Sequence, residues 1–278
     1  MRGIIHIIIT GVAALFLCGV AHGQLFHPSE RLNYRVAYRA KLFPNTELAT
    51  VSVTTEVDTL AGRECYRVTG DGQIMKAFRW FFHLHDRYDI WVDSGSKRTL
   101  RFESNLQEGD YTFRSHYLYD WDSLKVHTWA QRRSEPPRTK TMSLSPRSMD
   151  PMSLYFNLRS IDPAQLREGE EHDLEMVLED TIRTLKFRLV GRTVCKVPKR
   201  GWFNTLHLKC TIGTSEEFSF TDGSEFSIWI TDDRNKFPVM LESPIRVGSI
   251  RAYIHSFEGL KYPLECQVER PTKRNKEE

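Results

Sequence analysis

The chain has 278 residues, a formal net charge of +3 at pH 7 and 12% aromatic residues. This aromatic content supports a folded core and argues against intrinsic disorder. Acidic and basic residues are interspersed without a basic stripe, which argues against nucleic acid as a partner.

The N-terminus predicts export. Arg2 is followed by an apolar stretch over residues 4–20, and a small residue, Gly23, precedes Gln24. A basic start, an apolar centre and a small residue at the cleavage point are typical of a signal peptide. We therefore expect residues 1–23 to be a signal peptide, cleaved between Gly23 and Gln24, and the protein to reside in the periplasm.

Two alternatives stay open at this terminus. The apolar stretch is long enough for an uncleaved membrane anchor, and Cys18 raises the question of lipidation. No later run reaches the roughly 20 apolar residues of a transmembrane helix, so we expect no span after the signal peptide. Residues 24–266 are predicted to form one domain, followed by a basic tail over 267–278.

Alternating apolar and polar residues predict β-strands in the first half of the chain. Tyr34, Val36 and Tyr38, for example, alternate with Arg35 and other polar residues, as in a half-buried strand. The predicted strands are 34–41, 49–57, 65–69, 74–92, 99–107, 111–121 and 125–130. Residues 131–148 lack this periodicity and predict a loop.

Asp86 lies in the long predicted strand 74–92, in phase with Leu84 and Tyr88. We therefore expect its carboxylate to point inward, where it needs an arginine or several hydrogen-bond donors. It serves either as a structural buried ion pair or as a general acid with a raised pKa. His83 and His85 lie on the opposite face, and their spacing alone does not define a metal site.

An aromatic stripe follows strand 111–121. Tyr117 and Tyr119 lie on the same face of this strand. Such a stripe either belongs to the core or lines a cavity for an apolar or sugar ligand. Both tyrosines are therefore candidate binding residues.

One short helix is expected near residues 150–159. Asp150 suits the N-cap position, because its side chain can accept hydrogen bonds from free backbone amides, and Pro151 suits the first helical position. Met152, Tyr155 and Arg159 then follow one face.

The second half again predicts strands, with a tight hairpin turn at Asp222-Gly223. The predicted strands are 175–179, 184–190, 205–212, 215–220, 225–231, 239–242 and 247–256. Cys195 and Cys210 flank a predicted hairpin turn and form the first candidate disulfide of an exported protein. The alternative is that the cysteines are small, buried, reduced side chains.

Trp229, Asp232 and Asp233 close the strand 225–231. Adjacent carboxylates at a strand end point to opposite faces, so they either cap a turn or contact an ion or sugar. All three residues are candidate binding residues.

These elements predict an all-β, mainly antiparallel fold with one short helix. A sheet this large most readily protects its edges by curling into an open β-barrel, and a two-sheet sandwich is the alternative. The sequence shows no nucleophile elbow and no glycine-rich phosphate loop, and we expect neither a cofactor nor a metal.

The chain resembles the exported domain of unknown function 3108 family. The similarity runs from about Glu30 to Ile254, in four separated blocks. These blocks are Glu30-Arg31-Leu32 with Tyr34, Val36 and Tyr38; Asp86-Arg87-Tyr88; Asp150, Ser153, Leu154, Tyr155 and Arg159; and Phe226, Trp229 to Asp233, Pro238-Val239 and Val247-Gly248-Ser249. The resemblance implies an envelope location and a β-barrel-like fold, but no activity or catalytic residues. The segment Val194 to Cys210 departs from the family by its basic residues and its cysteine pair.

Two functions are consistent with these observations. The first is a non-catalytic envelope protein that binds an apolar or glycan ligand, such as a lipid, or docks on envelope assembly machinery. The second is an acid–base hydrolase of a cell-wall or surface polymer that uses Asp86 with Asp232 or Asp233. The hydrolase requires two carboxyl groups about 5–10 Å apart across a cleft.

Overall fold

The computed structural model describes residues 27–40, 43–160, 162–178, 181–212, 225–245 and 247–270. The predicted signal peptide and its cleavage site lie outside these residues, as do the predicted turn at 222–223, the predicted strand 215–220 and residues 271–278 of the predicted tail. Within the described residues, no helix combines the length and the apolar character needed to cross a membrane.

The described residues form sixteen strands, as the alternation of apolar and polar residues predicts, and one α-helix. The strands are β1 Arg31–Ala40, β2 Phe43–Leu60, β3 Arg63–Ile74, β4 Leu84–Asp93, β5 Thr99–Glu108, β6 Tyr111–Asp120, β7 Lys125–Arg132, β8 Arg138–Ser143, β9 Ser148–Met149, β10 Glu171–Leu178, β11 Thr181–Val197, β12 Gly201–Ile212, β13 Glu225–Thr231, β14 Pro238–Pro244, β15 Ser249–Glu258 and β16 Gln267–Val268. The helix α1 spans Ser153–Ser160. Short 3₁₀ turns cover Lys76–Phe78 and Pro163–Gln165.

All strands belong to one sheet with the order β8-β7-β6-β5-β4-β3-β2-β1-β15-β14-β13-β12-β11-β10-β9, and β16 pairs with β12. The sheet consists of two antiparallel meanders joined by the pairing of β1 with β15. The short strand β9 is the exception, because it runs parallel to β10.

The connection between the two edge strands requires the sheet to curl. Strand β8 ends at Ser143 and β9 begins at Ser148, and a link of this length reaches at most about 17 Å. A flat sheet of this size would separate its edges by about 67 Å. The sheet therefore bends until β8 and β9 approach each other, although no pairing between them occurs among the described residues. The predicted all-β fold, a curled sheet or open barrel with one short helix, is confirmed.

The concave face of the sheet is packed with apolar side chains. Buried residues from every strand from β1 to β15 form one contiguous cluster. Its largest fully buried side chains are Tyr117, Phe187, Phe203, Phe226, Phe237, Leu32 and Ile90. Burial of apolar surface on this scale is the main stabilising term of the fold.

Helix α1 and the residues before it lie against this core. Met152 is 2% exposed, and its thioether is so close to Gly70 in β3 that a Cβ atom there would lie 3.1 Å from the Met152 methyl group. Asn157 and Arg159 of the helix are also buried. The helix is therefore an internal brace of the curled sheet rather than a surface element.

The long hairpin β11–β12 adds a local second layer. Its pairing shifts register between Leu189 and Gly191, and its tip lies over the sheet. Lys199 Nζ lies 3.4 Å from Glu47 Oε1 of β2, and the Arg200 guanidinium lies 4.9 Å from the centroid of the Phe257 ring in β15. This hairpin contains the segment in which the chain departs from the resembled family.

The predicted disulfide between Cys195 and Cys210 is wrong. Cys195 is opposite Phe203 in the β11–β12 ladder, whereas Cys210 is opposite Phe187, so many residue pairs separate the two thiols. The described cysteines are all free and buried. Burial raises the pKa of Cys195 to about 12 and also raises that of Cys210, so both behave as small apolar side chains.

Two predicted boundaries also differ from the structure. The predicted strand 74–92 is interrupted after Ile74, because residues 75–83 form a turn and β4 begins only at Leu84. The predicted loop 131–148 contains β8, the end of β7 and the first residue of β9. In the first case the aromatic residues imitate a strand pattern, and in the second an exposed edge strand has no apolar alternation to detect.

Candidate functional site

Asp86 lies inside the curled sheet, as the alternation predicted. Its side chain is 0% exposed, and Oδ1 accepts a hydrogen bond from the backbone N–H of Gln107 at 3.1 Å. On the outer face of the same strand, His85 Nε2 lies 2.9 Å from Asp71 Oδ2. Asp86 therefore contacts the neighbouring strand β5 rather than solvent.

Tyr117 and Tyr119 are core residues of β6. Tyr117 is 2% exposed and stacks on Phe102 with ring centroids 5.0 Å apart. Tyr119 is 8% exposed and stacks on Trp121 at 5.7 Å. Stacked aromatic pairs of this kind add to the stability of a core.

The residues at the end of β13 form one surface ion pair and one capped turn. Trp229 stacks on His207 with centroids 4.4 Å apart. The Asp232 carboxylate accepts a hydrogen bond from Arg192 Nε at 2.8 Å. Asp233 Oδ1 accepts hydrogen bonds from the Thr231 hydroxyl and the Asn235 N–H, each at 2.9 Å. Asp233 therefore caps the turn between β13 and β14.

Asp232 and Asp233 also line a shallow, open surface depression of about 380 Å³ with Lys236 and Tyr262. Burial lowers the pKa of the Lys236 ammonium, and the neighbouring carboxylates oppose this effect. The depression is lined by both acidic and basic groups, so its charge favours no single class of ion.

The structure does not gather the six predicted residues into one site. Two of them are core aromatics, and Asp86 is buried near β5. Trp229 lies in β13, and Asp232 and Asp233 follow it. The polar residues that do converge from distant parts of the sequence surround Arg159 at the end of α1.

Glu30 and Arg159 form a buried ion pair. Both side chains are 1% exposed, and the Glu30 carboxylate accepts hydrogen bonds from both terminal nitrogens of the guanidinium, with Nη2 to Oε2 at 2.9 Å. A bidentate arrangement is the strongest form of this contact. The two residues are 129 positions apart in the chain, so the pair joins the start of β1 to the helix.

The closing turn completes this cluster. Arg159 Nε donates a hydrogen bond to the backbone carbonyl of Asn235 at 2.8 Å. The Asn235 side chain in turn donates to the carbonyls of Tyr262 and Pro263 at 3.0 and 3.2 Å. We name Glu30, Arg159 and Asn235 the buried lock, because these three residues tie β1, α1, the β13–β14 turn and the C-terminal segment together.

Tyr34 lies beside the buried lock. Its hydroxyl donates to the Pro238 carbonyl at 3.0 Å, and burial, with the Glu30 charge nearby, raises its pKa well above the ordinary value. Tyr34 therefore stays neutral and supports the same junction of β1 with β14.

A second buried polar group lies at the start of the helix. Asp150 is 0% exposed, and its Oδ1 accepts the N–H groups of Met152 and Ser153 at 2.7 and 2.9 Å. The hydroxyls of Ser153 and Thr99 donate to Oδ2. The predicted N-cap role is confirmed, and the contact with Thr99 ties the helix to β5.

This environment makes stability depend on the charge of Asp150. Burial raises the pKa of the carboxyl above its ordinary value of 3.8, although its hydrogen bonds oppose the shift. As pH rises through this value the unfolded chain loses the proton first, so stability falls. Asp150→Asn removes this titration and keeps the acceptor oxygen. We therefore expect urea unfolding to show that the wild type loses stability relative to the variant as pH rises above the ordinary carboxyl value of 3.8, by at most about 1.4 kcal/mol per pH unit. Equal pH slopes would contradict this prediction.

The described residues contain no group of three or more His, Cys, Asp or Glu side chains arranged to hold a metal ion. Sequence reasoning did not find the buried lock either. A signal was nevertheless present, because Arg159 shares a helix face with Met152, and an arginine on an apolar face needs a buried acceptor.

A family model described as "Protein of unknown function (DUF3108)" matches residues 33–255. The chain belongs to this family. The DUF3108 match contains Arg159 and Asn235 of the buried lock, whereas Glu30 lies just before it. The resemblance stated from the sequence blocks is therefore confirmed.

The DUF3108 chain is also similar to a solved structure, the beta-barrel-like protein of domain of unknown function DUF1849 from Brucella abortus. The TM-score is 0.53 at 9% identity, and the alignment covers 85% of this chain and all of the other. At this identity the likeness shows the fold alone. No match was found among curated proteins.

Proposed function

We propose that this DUF3108 protein is exported to the periplasm and is a non-catalytic envelope protein that docks on an envelope component through its outer surface. One observation carries the proposal: the polar residues that the fold gathers are used to hold it together. Glu30 and Arg159 neutralise each other in the interior, and Asp150 is occupied by four donors. None of these groups is left facing solvent to bind or activate a substrate.

Packing supports docking over an enclosed ligand. Tyr117 and Tyr119, which could have lined a cavity, are stacked within the core. The apolar cluster extends across both meanders. Lipid or glycan bound inside the sheet remains the other version of this proposal, and mass spectrometry distinguishes the two.

The positions of Asp86, Asp232 and Asp233 give little support to the hydrolase alternative. A polymer must reach both catalytic groups from one cleft, yet Asp86 is fully buried. Asp232 is paired with Arg192 on the surface, and Asp233 caps a turn. We therefore favour the non-catalytic function.

The proposal is tested by expressing the whole chain in a bacterium with a periplasm. We expect the protein in the periplasmic fraction with an intact mass that lacks residues 1–23, since the basic and apolar N-terminus is typical of a cleaved signal. A variant without residues 2–23 should remain in the cytosol. Full-length cytosolic protein from the complete chain would contradict export.

Native mass spectrometry and a digestion assay test the second part of the proposal, that the protein is non-catalytic and encloses no ligand. We expect the purified protein to carry no lipid or glycan at a one-to-one ratio and to release no soluble fragments from purified envelope polymers. A stoichiometric ligand would favour the enclosed-ligand version. Fragment release that Asp86→Asn abolishes would favour the hydrolase.

A further inference from the structure

The turn between β3 and β4 exposes large aromatic side chains. We call residues 75–83 the aromatic loop. Trp80 is 83% exposed and Phe81 49%, although both residues belong to types that fold into the interior or into interfaces. Exposed apolar groups of this size mark a surface that binds something.

The aromatic loop has a defined shape. The Met75 N–H donates to the Leu48 carbonyl at 2.8 Å, and the Gly109 N–H donates to the His83 carbonyl at 2.7 Å. Phe81 lies between Phe78 and Trp80, with edge-on ring contacts at 5.9 and 5.3 Å. Because one end is tied to β2 and the other to the β5–β6 turn, the rings are presented without a large loss of entropy on binding.

The charge of the aromatic loop is positive. Lys76 and Arg79 are exposed, and no acidic residue occurs between Asp71 and Asp86. Of these two flanking acids, Asp71 is paired with His85 and Asp86 is buried. One exposed acid, Asp110, lies in the adjoining β5–β6 turn. The exposed aromatic rings are therefore accompanied by a surplus of cations.

A second apolar residue projects from the same end of the sheet. Val247, in the turn between β14 and β15, is 63% exposed, and the Tyr38 hydroxyl donates to its carbonyl at 3.0 Å. Arg39 pairs with Ser249, and Ala49 pairs with Ile74. These antiparallel registers bring the β14–β15 turn and the aromatic loop to one end of the curled sheet. Two separate apolar projections at one end suit a broad, flat partner.

We propose that the aromatic loop docks the protein on an anionic lipid bilayer. Trp80 enters the headgroup region, where amphipathic aromatic rings are favoured, and Phe81 adds apolar area to the same insertion. Lys76 and Arg79 contact the lipid phosphates. The positive charge of the aromatic loop suits an anionic partner. The exposed indole and phenyl rings favour a lipid surface over an acidic soluble partner, because a bilayer can bury them. This inference rests on the proposed docking function and names its partner.

Vesicle sedimentation of the purified mature chain tests the proposal. We expect binding to vesicles with about one-third phosphatidylglycerol and weak binding to pure phosphatidylcholine, with salt reducing the former. Trp80→Ala with Phe81→Ala should weaken binding to the anionic vesicles at least about tenfold, since little apolar area is then left to insert. Lys76→Glu with Arg79→Glu should remove the preference for anionic lipid.

Matched variants control for loss of exposed apolar area and of charge. Leu118 is 49% exposed on β6, so Leu118→Ala should bind vesicles like the wild type. Arg63→Glu with Lys125→Glu makes the same change in net charge at two exposed positions beside the β2–β3 and β6–β7 turns, at the other end of these strands. It should have a smaller effect than Lys76→Glu with Arg79→Glu. Circular dichroism checks that each variant is folded.

Three results would overturn the proposal: no preference of the wild type for anionic vesicles, unchanged binding of the Trp80 and Phe81 variant, or an equal loss in both charge variants. If sedimentation velocity instead shows a dimer that the aromatic variant disrupts, the partner is a second copy of this chain. If the protein is exported, carries no ligand and shows no activity but does not bind vesicles, this inference is rejected while the proposed function stands.

Discussion

Arg159→Leu is expected to lower the free energy of unfolding by about 3–5 kcal/mol. The substitution leaves the Glu30 carboxylate, which is 1% exposed, without its bidentate partner in the interior. The Asn235 carbonyl also loses the hydrogen bond from Nε. Urea unfolding of the mature protein, followed by tryptophan fluorescence, measures the change.

A double variant separates the buried charge from the packing. Glu30→Leu with Arg159→Leu removes both charges, so we expect it to be more stable than Arg159→Leu alone, by about 2 kcal/mol or more. The surface control is Arg138→Leu, whose side chain is 82% exposed near Glu135 and whose effect should remain within about 0.5 kcal/mol. If the double variant were as unstable as the single one, the ion pair would not be the source of the loss.

Gly248→Ala is expected to cost about 3 kcal/mol or more. Gly248 has φ +89°, and a Cβ atom there would lie 2.1 Å from the backbone carbonyl oxygen of Arg39. Because the obstructing atom belongs to the backbone of β1, relief requires a shift of the strand or of the β14–β15 turn. The pairing of Arg39 with Ser249, which helps to join the two meanders, would be disturbed.

Gly62→Ala provides the matched control for this prediction. Gly62 also has positive φ, at +79°, but a Cβ atom there would meet nothing within 4 Å. Its cost should be only the conformational one, about 1–2 kcal/mol. Both variants are compared by urea unfolding, and similar losses would mean that the close approach to Arg39 is relieved without cost.

If the buried lock behaves as expected, it gives a structural reason for the separated sequence blocks of this DUF3108 chain. Glu30 comes from the first block, Arg159 from the helix, and Asn235 from the turn that follows Asp232-Asp233. These residues meet where β1, α1 and the β13–β14 turn converge. Together these hydrogen bonds hold the helix against the curled sheet.

The sequence alone predicted the features that depend on neighbouring residues. Alternation of apolar and polar side chains placed the strands and oriented Asp86 and Tyr117 inward, because successive side chains of a strand point to opposite faces. Asp150 was recognisable as an N-cap, because capping involves amides two and three residues away. From these elements followed the all-β class and the curled sheet.

Other features were decided only by the tertiary structure. The aromatic residues of 75–83 alternate like a strand, yet Trp80 is exposed, because the chain turns there to pair β3 with β4. The register of β11 with β12 separates Cys195 from Cys210. The bond between Glu30 and Arg159 spans 129 positions, and such contacts depend on strand order and curvature. Local periodicity carries no information about either, since it reports only which face of its own element a residue occupies.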